Sequence, residues 1–214
     1  SNFVDIPTDC PQRDERLGWT GDIQVFAPTA ATLYDVHGLM ADWLRTLSAE
    51  QERFGGVAPV YAPWIPGTAP WRDDQPVAAW GDVAALTPLA LHGLSGDLGL
   101  LERQYEGARR WVDVVSGLAG ASRLWDTGLQ LGDWLDPTAP PEAPMRAAPS
   151  PELVATAYLA PSARTLARTA RVLDDAAEAA RLDALADRVA TAFAAAYLDP
   201  AAPAQSLLIA GGAK

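Results

Sequence analysis

The sequence contains one cysteine, Cys10, and two histidines, His37 and His92. A lone thiol excludes an internal disulfide framework, and two histidines far from it offer no zinc-ligand spacing. Basic clusters are missing as well. With 16 Lys and Arg against 27 Asp and Glu, the formal net charge is −11. No cationic patch is available to release counterions from a phosphate backbone or an anionic lipid surface. Nucleic acid and membrane are therefore not expected partners, and a neutral or cationic ligand is. No apolar run reaches the length of a membrane span, and no basic n-region followed by an apolar h-region opens the chain. The compartment stays open. Alternating β-branched runs are almost absent, which leaves little for a sheet to be made from.

What is present suits a sizeable core: 214 residues, 49% of them hydrophobic and 20% charged. Apolar residues recur at helical spacing in paired segments. The spacing predicts a first helical pair over 21–35 and 37–53, with Pro28 as a kink or first-turn proline and Gly55-Gly56 as a stop. A second pair is expected over 80–93 and 97–118. Asp97 would cap its second helix, and Leu98, Leu101, Tyr105, Ala108, Val112 and Val115 would form one apolar face. A third pair starts at Ser150-Pro151-Glu152, a capping serine with proline at the first helical position, and runs to 173, with Pro161 expected to bend it. Its partner, 175–198, would bury Leu182, Leu185, Val189, Phe193 and Tyr197. Residues 199–214 form a tail without a recognisable motif.

Two long connections separate the pairs. The first, 57–79, holds five prolines and should lack regular structure; the second, 120–149, carries Trp125, Asp126, Asp133, Trp134 and Asp136. Long ordered loops in compact domains are usually functional. Six of the eight tryptophans, Trp19, Trp64, Trp71, Trp80, Trp125 and Trp134, sit in or beside loops. Carboxylates that accept hydroxyl hydrogen bonds, together with aromatic faces that cover the apolar face of a ring, are the two features that bind sugars. Core filling is the alternative use for each of these tryptophans.

The densest acidic stretch lies between Asp5 and Asp22. Glycosidic hydrolysis needs a carboxylic acid held protonated and a second carboxylate to activate water or attack directly. Glu15, flanked by Asp14 and near Asp9, is the best acid candidate, since like charge and partial burial retain a proton while Arg13 and Arg16 oppose this. Composition alone favours a solvated salt-bridge cluster of Arg13, Asp14, Glu15 and Arg16.

The stretch "DIPTDCPQRDERLGWTGDIQ" closely resembles the signature of bacterial α-L-rhamnosidases of glycoside hydrolase family 78. The resemblance continues in "AAWGDVAALTPLALHGLSGD", in "GDWLDP" and in "SPELVATAYLAPSARTLARTARVL", and covers nearly the whole chain to about Asp199. It implies an all-α (α/α)6 barrel of six helical hairpins, of which about three are present here. Residues 1–20 would be the motif-bearing opening segment, and 21–198 the three hairpins. By the same resemblance Glu15 matches the general acid, and Asp9, Arg13, Trp19 and Asp22 fall on positions that line the rhamnose pocket. Trp134 of "GDWL" lies in a region that lends an aromatic to the site, while Trp80 and Asp82 of "AWGD" would position the site from the neighbouring hairpin. Cys10 reads as packed rather than reactive.

The implied chemistry is inverting release of terminal α-L-rhamnose from glycosides or polysaccharides. Its base, a glutamate in the family, is expected beyond Lys214, because Asp136, Glu142 and Glu152 match no base motif. This chain by itself would then be inactive, and its exposed inner helix faces call for the remaining half of the barrel or an oligomer partner. Opening directly on a dense motif, it reads as beginning partway through a longer protein. Two other readings stay open: a six-hairpin glycosidase of different sugar specificity, and a carbohydrate-binding relative without catalysis.

Overall fold

The structure, a computed structural model, describes residues 3, 6–8, 14, 16–67, 74–134, 136–143, 146–147 and 149–198. Among these residues it is all-α: α1 (Thr20–Leu33), α2 (His37–Arg53), α3 (Val83–Ser95), α4 (Leu98–Ala119), α5 (Pro151–Val172) and α6 (Ala176–Tyr197). The only extended pairing described is two isolated bridges, Phe3 with Pro7 and Trp19 with Tyr61. No described helix is long and apolar enough to cross a membrane.

Local chemistry sets the helix starts. The Asp97 carboxylate accepts the Leu100 N–H at 3.1 Å, and the Asp175 carboxylate accepts the Glu178 N–H at 3.1 Å. Ser150 Oγ accepts the Leu153 N–H at 3.3 Å, with Pro151 in the first turn where its missing N–H costs nothing. Replacing Ser150 with alanine is expected to destabilise the fold by about 1 kcal/mol, read as a lower urea midpoint at unchanged slope. At the other end of α3, Gly96 takes φ 72° and returns its N–H to the His92 carbonyl, a left-handed cap that suits glycine.

The helices fall into two layers. Helices α1, α3 and α5 lie side by side, α2 and α4 pack behind them, and α6 packs along α5. Although α1 and α2 are joined by only three residues, α1 packs chiefly on α3 rather than on α2. The core lies between the layers, where Met40, Trp43, Leu44 and Leu47 of α2, Leu91 of α3, Trp111 and Val115 of α4, and Leu159 and Leu166 of α5 are buried. Each of α1, α3 and α5 carries one interior proline, Pro28, Pro88 and Pro161. Pro28 is therefore not a first-turn residue, and α5 runs unbroken across Pro161.

Three expected faces shift in detail. Helix α3 begins at Val83 rather than at Trp80, because 80–82 form a turn. Leu98 is exposed, and the buried stripe of α4 runs through Leu101, Gln104, Ala108, Trp111 and Val115. Phe193 and Tyr197 are half-buried and pack on each other, with ring centroids 5.1 Å apart.

A smaller apolar cluster, Leu17, Val60, Tyr61, Val77 and Leu131, lies under the loops. It holds the segment leading into α1. The Thr20 N–H donates to the Val60 carbonyl at 3.0 Å, the Ala62 N–H to the Gly18 carbonyl at 3.0 Å, and Trp43 Nε1 to the Ala62 carbonyl at 2.9 Å. Gly18 is required by this close approach, since a Cβ there would stand 2.4 Å from the Ala62 oxygen.

Candidate active site

A cavity of about 800 Å³ opens where the N-terminal ends of α1, α3 and α5 converge. Helix α1 contributes Gly21, Asp22, Val25 and Phe26; the turn before α3 contributes Ala79 and Trp80; the loop before α5 contributes Gly132, Asp133 and Trp134. Helix α5 adds Leu153, Val154, Ala157 and Tyr158. The helical period explains the α1 and α5 sets, because positions three and four apart share one face.

Asp22 sits exposed in the first turn of α1, where the positive end of the helix dipole favours its carboxylate. Trp134, 39% exposed, stands at the mouth, whereas Trp80 is half-buried in the wall. The cavity thus brings together Asp22, Trp80 and Trp134, three of the expected site residues. Trp19 is not among the side chains that line it. Its ring packs on the smaller cluster, edge-on to Tyr61 at 5.2 Å, and its indole N–H is buried without a partner among the described residues. Asp9, Cys10, Arg13, Glu15 and Trp71 lie outside the described residues.

The loop tryptophans divide. Trp125 is fully buried, its ring edge-on to Trp111 at 6.1 Å, and Trp64 stacks on Tyr61 at 4.6 Å. These two fill space, and Trp80 and Trp134 face the cavity.

Among the cavity residues that sequence reasoning did not assign to a site are Phe3, Phe26, Asp133 and Tyr158. Phe26 was legible as the residue four beyond Asp22, and Asp133 as the acid of "GDWL". Tyr158 carried no signal to separate it from a core position. Burial first, and the nearby Asp82 carboxylate second, push the Tyr158 hydroxyl above its ordinary pKa, so it stays neutral and can both donate and accept.

Asp82 lies behind the cavity wall and is fully buried. Its carboxylate accepts Trp111 Nε1 at 2.9 Å, Ser162 Oγ at 2.6 Å and the Ala79 N–H at 2.8 Å, tying α4, α5 and the turn carrying Trp80 to the start of α3. Burial raises its pKa to about 6, against the opposing effect of these three donors. Among the described residues no group of three His, Cys, Asp or Glu side chains converges as metal ligands would. Acceptors beside apolar and aromatic walls are what a small polyhydroxylated ligand with an apolar face requires.

Comparison with known proteins agrees with this chemistry. Residues 1–208 match the family described as the bacterial α-L-rhamnosidase six-hairpin glycosidase domain. A curated α-L-rhamnosidase of Formosa agariphila is 37% identical over 196 residues, covering 92% of this chain and 20% of the relative. The crystal structure of the native α-L-rhamnosidase of Aspergillus terreus superposes with TM-score 0.85 at 39% identity, over 93% of this chain and 23% of that one. The Streptomyces avermitilis α-L-rhamnosidase, solved in complex with L-rhamnose, gives TM-score 0.77 at 35% identity, over 93% and 18%. The chain thus spans about a fifth of the length of the curated relatives it matches. With its two helical layers and its cavity at the N-terminal ends of the inner helices, the chain belongs to the α-L-rhamnosidase six-hairpin glycosidase domains of glycoside hydrolase family 78.

Proposed function

We propose that the protein carrying this domain hydrolyses terminal α-L-rhamnosides with inversion, and that this chain supplies the general-acid half of the site. The observation that carries the reading is the cavity itself, where Asp22, Trp80, Trp134 and Tyr158 gather at one end of the fold of a rhamnosidase family. Rhamnose is a 6-deoxy sugar, so it presents hydroxyls to Asp22 and the Tyr158 hydroxyl, and a methyl group to apolar wall such as Phe26 and Val154. The L-rhamnose bound in the Streptomyces avermitilis relative supports the same ligand class here.

In this reading Glu15 protonates the leaving oxygen. Asp9, Arg13 and Asp22 hold the sugar, with Trp80 and Trp134 on its apolar surfaces, while Trp19, packed on Tyr61 outside the cavity, supports the segment that leads to Asp22. The second carboxylate stands about 6.5–9.5 Å from the acid, with a water between the two, and acts as base. The remaining half of the barrel, or an oligomer partner, supplies that base. No metal is needed, because both proton transfers fall to carboxylates.

The stereochemistry tests the mechanism directly. Proton NMR of the full-length protein acting on an aryl α-L-rhamnoside should show β-L-rhamnose appearing first and the α-anomer later by mutarotation. α-L-Rhamnose as the first product would exclude inversion. Binding of L-rhamnose without turnover would favour a non-catalytic relative.

A further inference from the structure

Trp80 owes its orientation to its surroundings rather than to a hydrogen bond of its own, since its indole N–H is buried and has no partner among the described residues. The turn that carries it is pinned on both sides. On one side the Ala79 N–H is held by Asp82 at 2.8 Å, with Ala79 in the left-handed region at φ 69°. A non-glycine residue held there by its surroundings is a strained element, of the kind that gathers at functional sites. On the other side the Ala78 N–H is held by Gln130 Oε1 at 2.9 Å. The backbone beneath Trp80 cannot retreat, so whatever the ring rests on decides where its face points.

It rests on Gly21. A Cβ at position 21 would lie 2.9 Å from both Cδ2 and Cε2 of Trp80 and 3.0 Å from Nε1, closer than side-chain carbons pack. Gly21 is the second residue of α1, immediately before Asp22. Helix geometry does not call for glycine there: alanine is the better helix former and would stabilise the turn. The three nearest atoms a Cβ here would meet all belong to the indole.

We propose that Gly21 is a positioning residue of the sugar site, seating the Trp80 indole flat against the first turn of α1 so that the aromatic wall and the Asp22 carboxylate face the ligand in fixed register. This rests on the reading of Trp80 as a sugar-binding residue. A methyl group at position 21 pushes the ring into the cavity, because its backbone is held from behind. Ligand binding suffers, and proton transfer does not.

The test is a double-mutant cycle between Gly21→Ala and Trp80→Ala in the full-length protein. Kinetics on an aryl α-L-rhamnoside are paired with near-ultraviolet circular dichroism, which reads the packing of the indole. Gly21→Ala alone should raise KM about tenfold with kcat within about twofold, the pattern of lost ground-state binding. It should also change the tryptophan dichroism without lowering the thermal midpoint. In the Trp80→Ala background, where the ring that meets position 21 is gone, the same substitution should add nothing to either readout. An unchanged KM in Gly21→Ala, or an equal rise in both backgrounds, overturns the proposal. If the wild type turns over no rhamnoside, the hydrolase reading falls; the dichroism cycle then still decides whether Gly21 seats Trp80, and equal spectra in its two arms overturn the seating itself.

Discussion

Glutamine in place of Glu15 is expected to slow hydrolysis of an alkyl α-L-rhamnoside by about 10²–10⁴-fold, the usual contribution of a positioned general acid. The same substitution should slow a substrate with a strongly activated aryl leaving group far less. The asymmetry follows from the proposed role. An alkoxide leaves only if it is protonated as the bond breaks, and a glutamine amide has the shape of the acid without the proton. A phenolate of low basicity departs without that help, so its rate reports only the remaining steps. The experiment is a comparison of kcat/KM for wild type and Glu15→Gln in the full-length protein across leaving groups of graded basicity. A steep dependence on basicity in the variant, and a shallow one in the wild type, identifies the acid. A uniform loss across the series would make Glu15 a binding residue, and near-wild-type turnover of the alkyl substrate would falsify the assignment outright.

The second large effect concerns stability. Asp82 titrates at about 6 in the folded protein against an ordinary value of 3.8, because burial penalises its charge more than its three donors favour it. Below pH 3.8 the side chain is protonated in folded and unfolded chains alike. As pH rises towards 6 the unfolded chain releases this proton and the folded protein keeps it, so stability falls with pH across that window and levels off above it. Two pKa units correspond to about 3 kcal/mol. An asparagine side chain carries no such titration. The stability difference between wild type and Asp82→Asn should therefore change by about that amount between about pH 4 and pH 7, favouring the wild type at the acid end. Urea unfolding at a series of pH values measures it, and parallel curves for the two proteins would show that Asp82 is already ionised throughout.

Asparagine also opposes an amide N–H to one of the three donors now facing the carboxylate, a mismatch that adds a pH-independent cost to Asp82→Asn. The carboxylate that burial penalises is the same one that holds Ala79 at positive φ and presents Trp80 to the cavity. A cost in folding is accepted at the place that shapes the site, a pattern common where backbone strain and function coincide.

Much of the architecture was written in local chemistry. The capping carboxylate of Asp97 and the Ser150-Pro151 start of α5 act within one turn and appear in the fold where the sequence places them, and the 3.6-residue period of α4 and α6 gives their buried faces apart from Leu98, Phe193 and Tyr197. The opening motif was long enough to identify the family, although its Asp9, Arg13 and Glu15 lie outside the described residues. What did not follow from the sequence was which aromatic goes where. Trp80 and Trp125 both precede an acidic residue within two positions and both flank a loop, yet one faces the cavity and the other fills the core against Trp111. In a loop no period links a residue's number to its direction. There the backbone follows from distant partners, such as the hold of Asp82 and Gln130 on 78–79, or the contact of Gly21 with Trp80. Tyr158 shows the same division within a helix: the sequence determined that it lies on α5, and the packing of α5 beside α3 decided that it borders the cavity at the edge of the core. The sequence by itself determined the helices, their caps and the family, because those depend on neighbours in the chain. Only the tertiary structure decided the walls of the cavity, because these are set by residues from 3 to 158 that meet only when the three inner helices lie side by side.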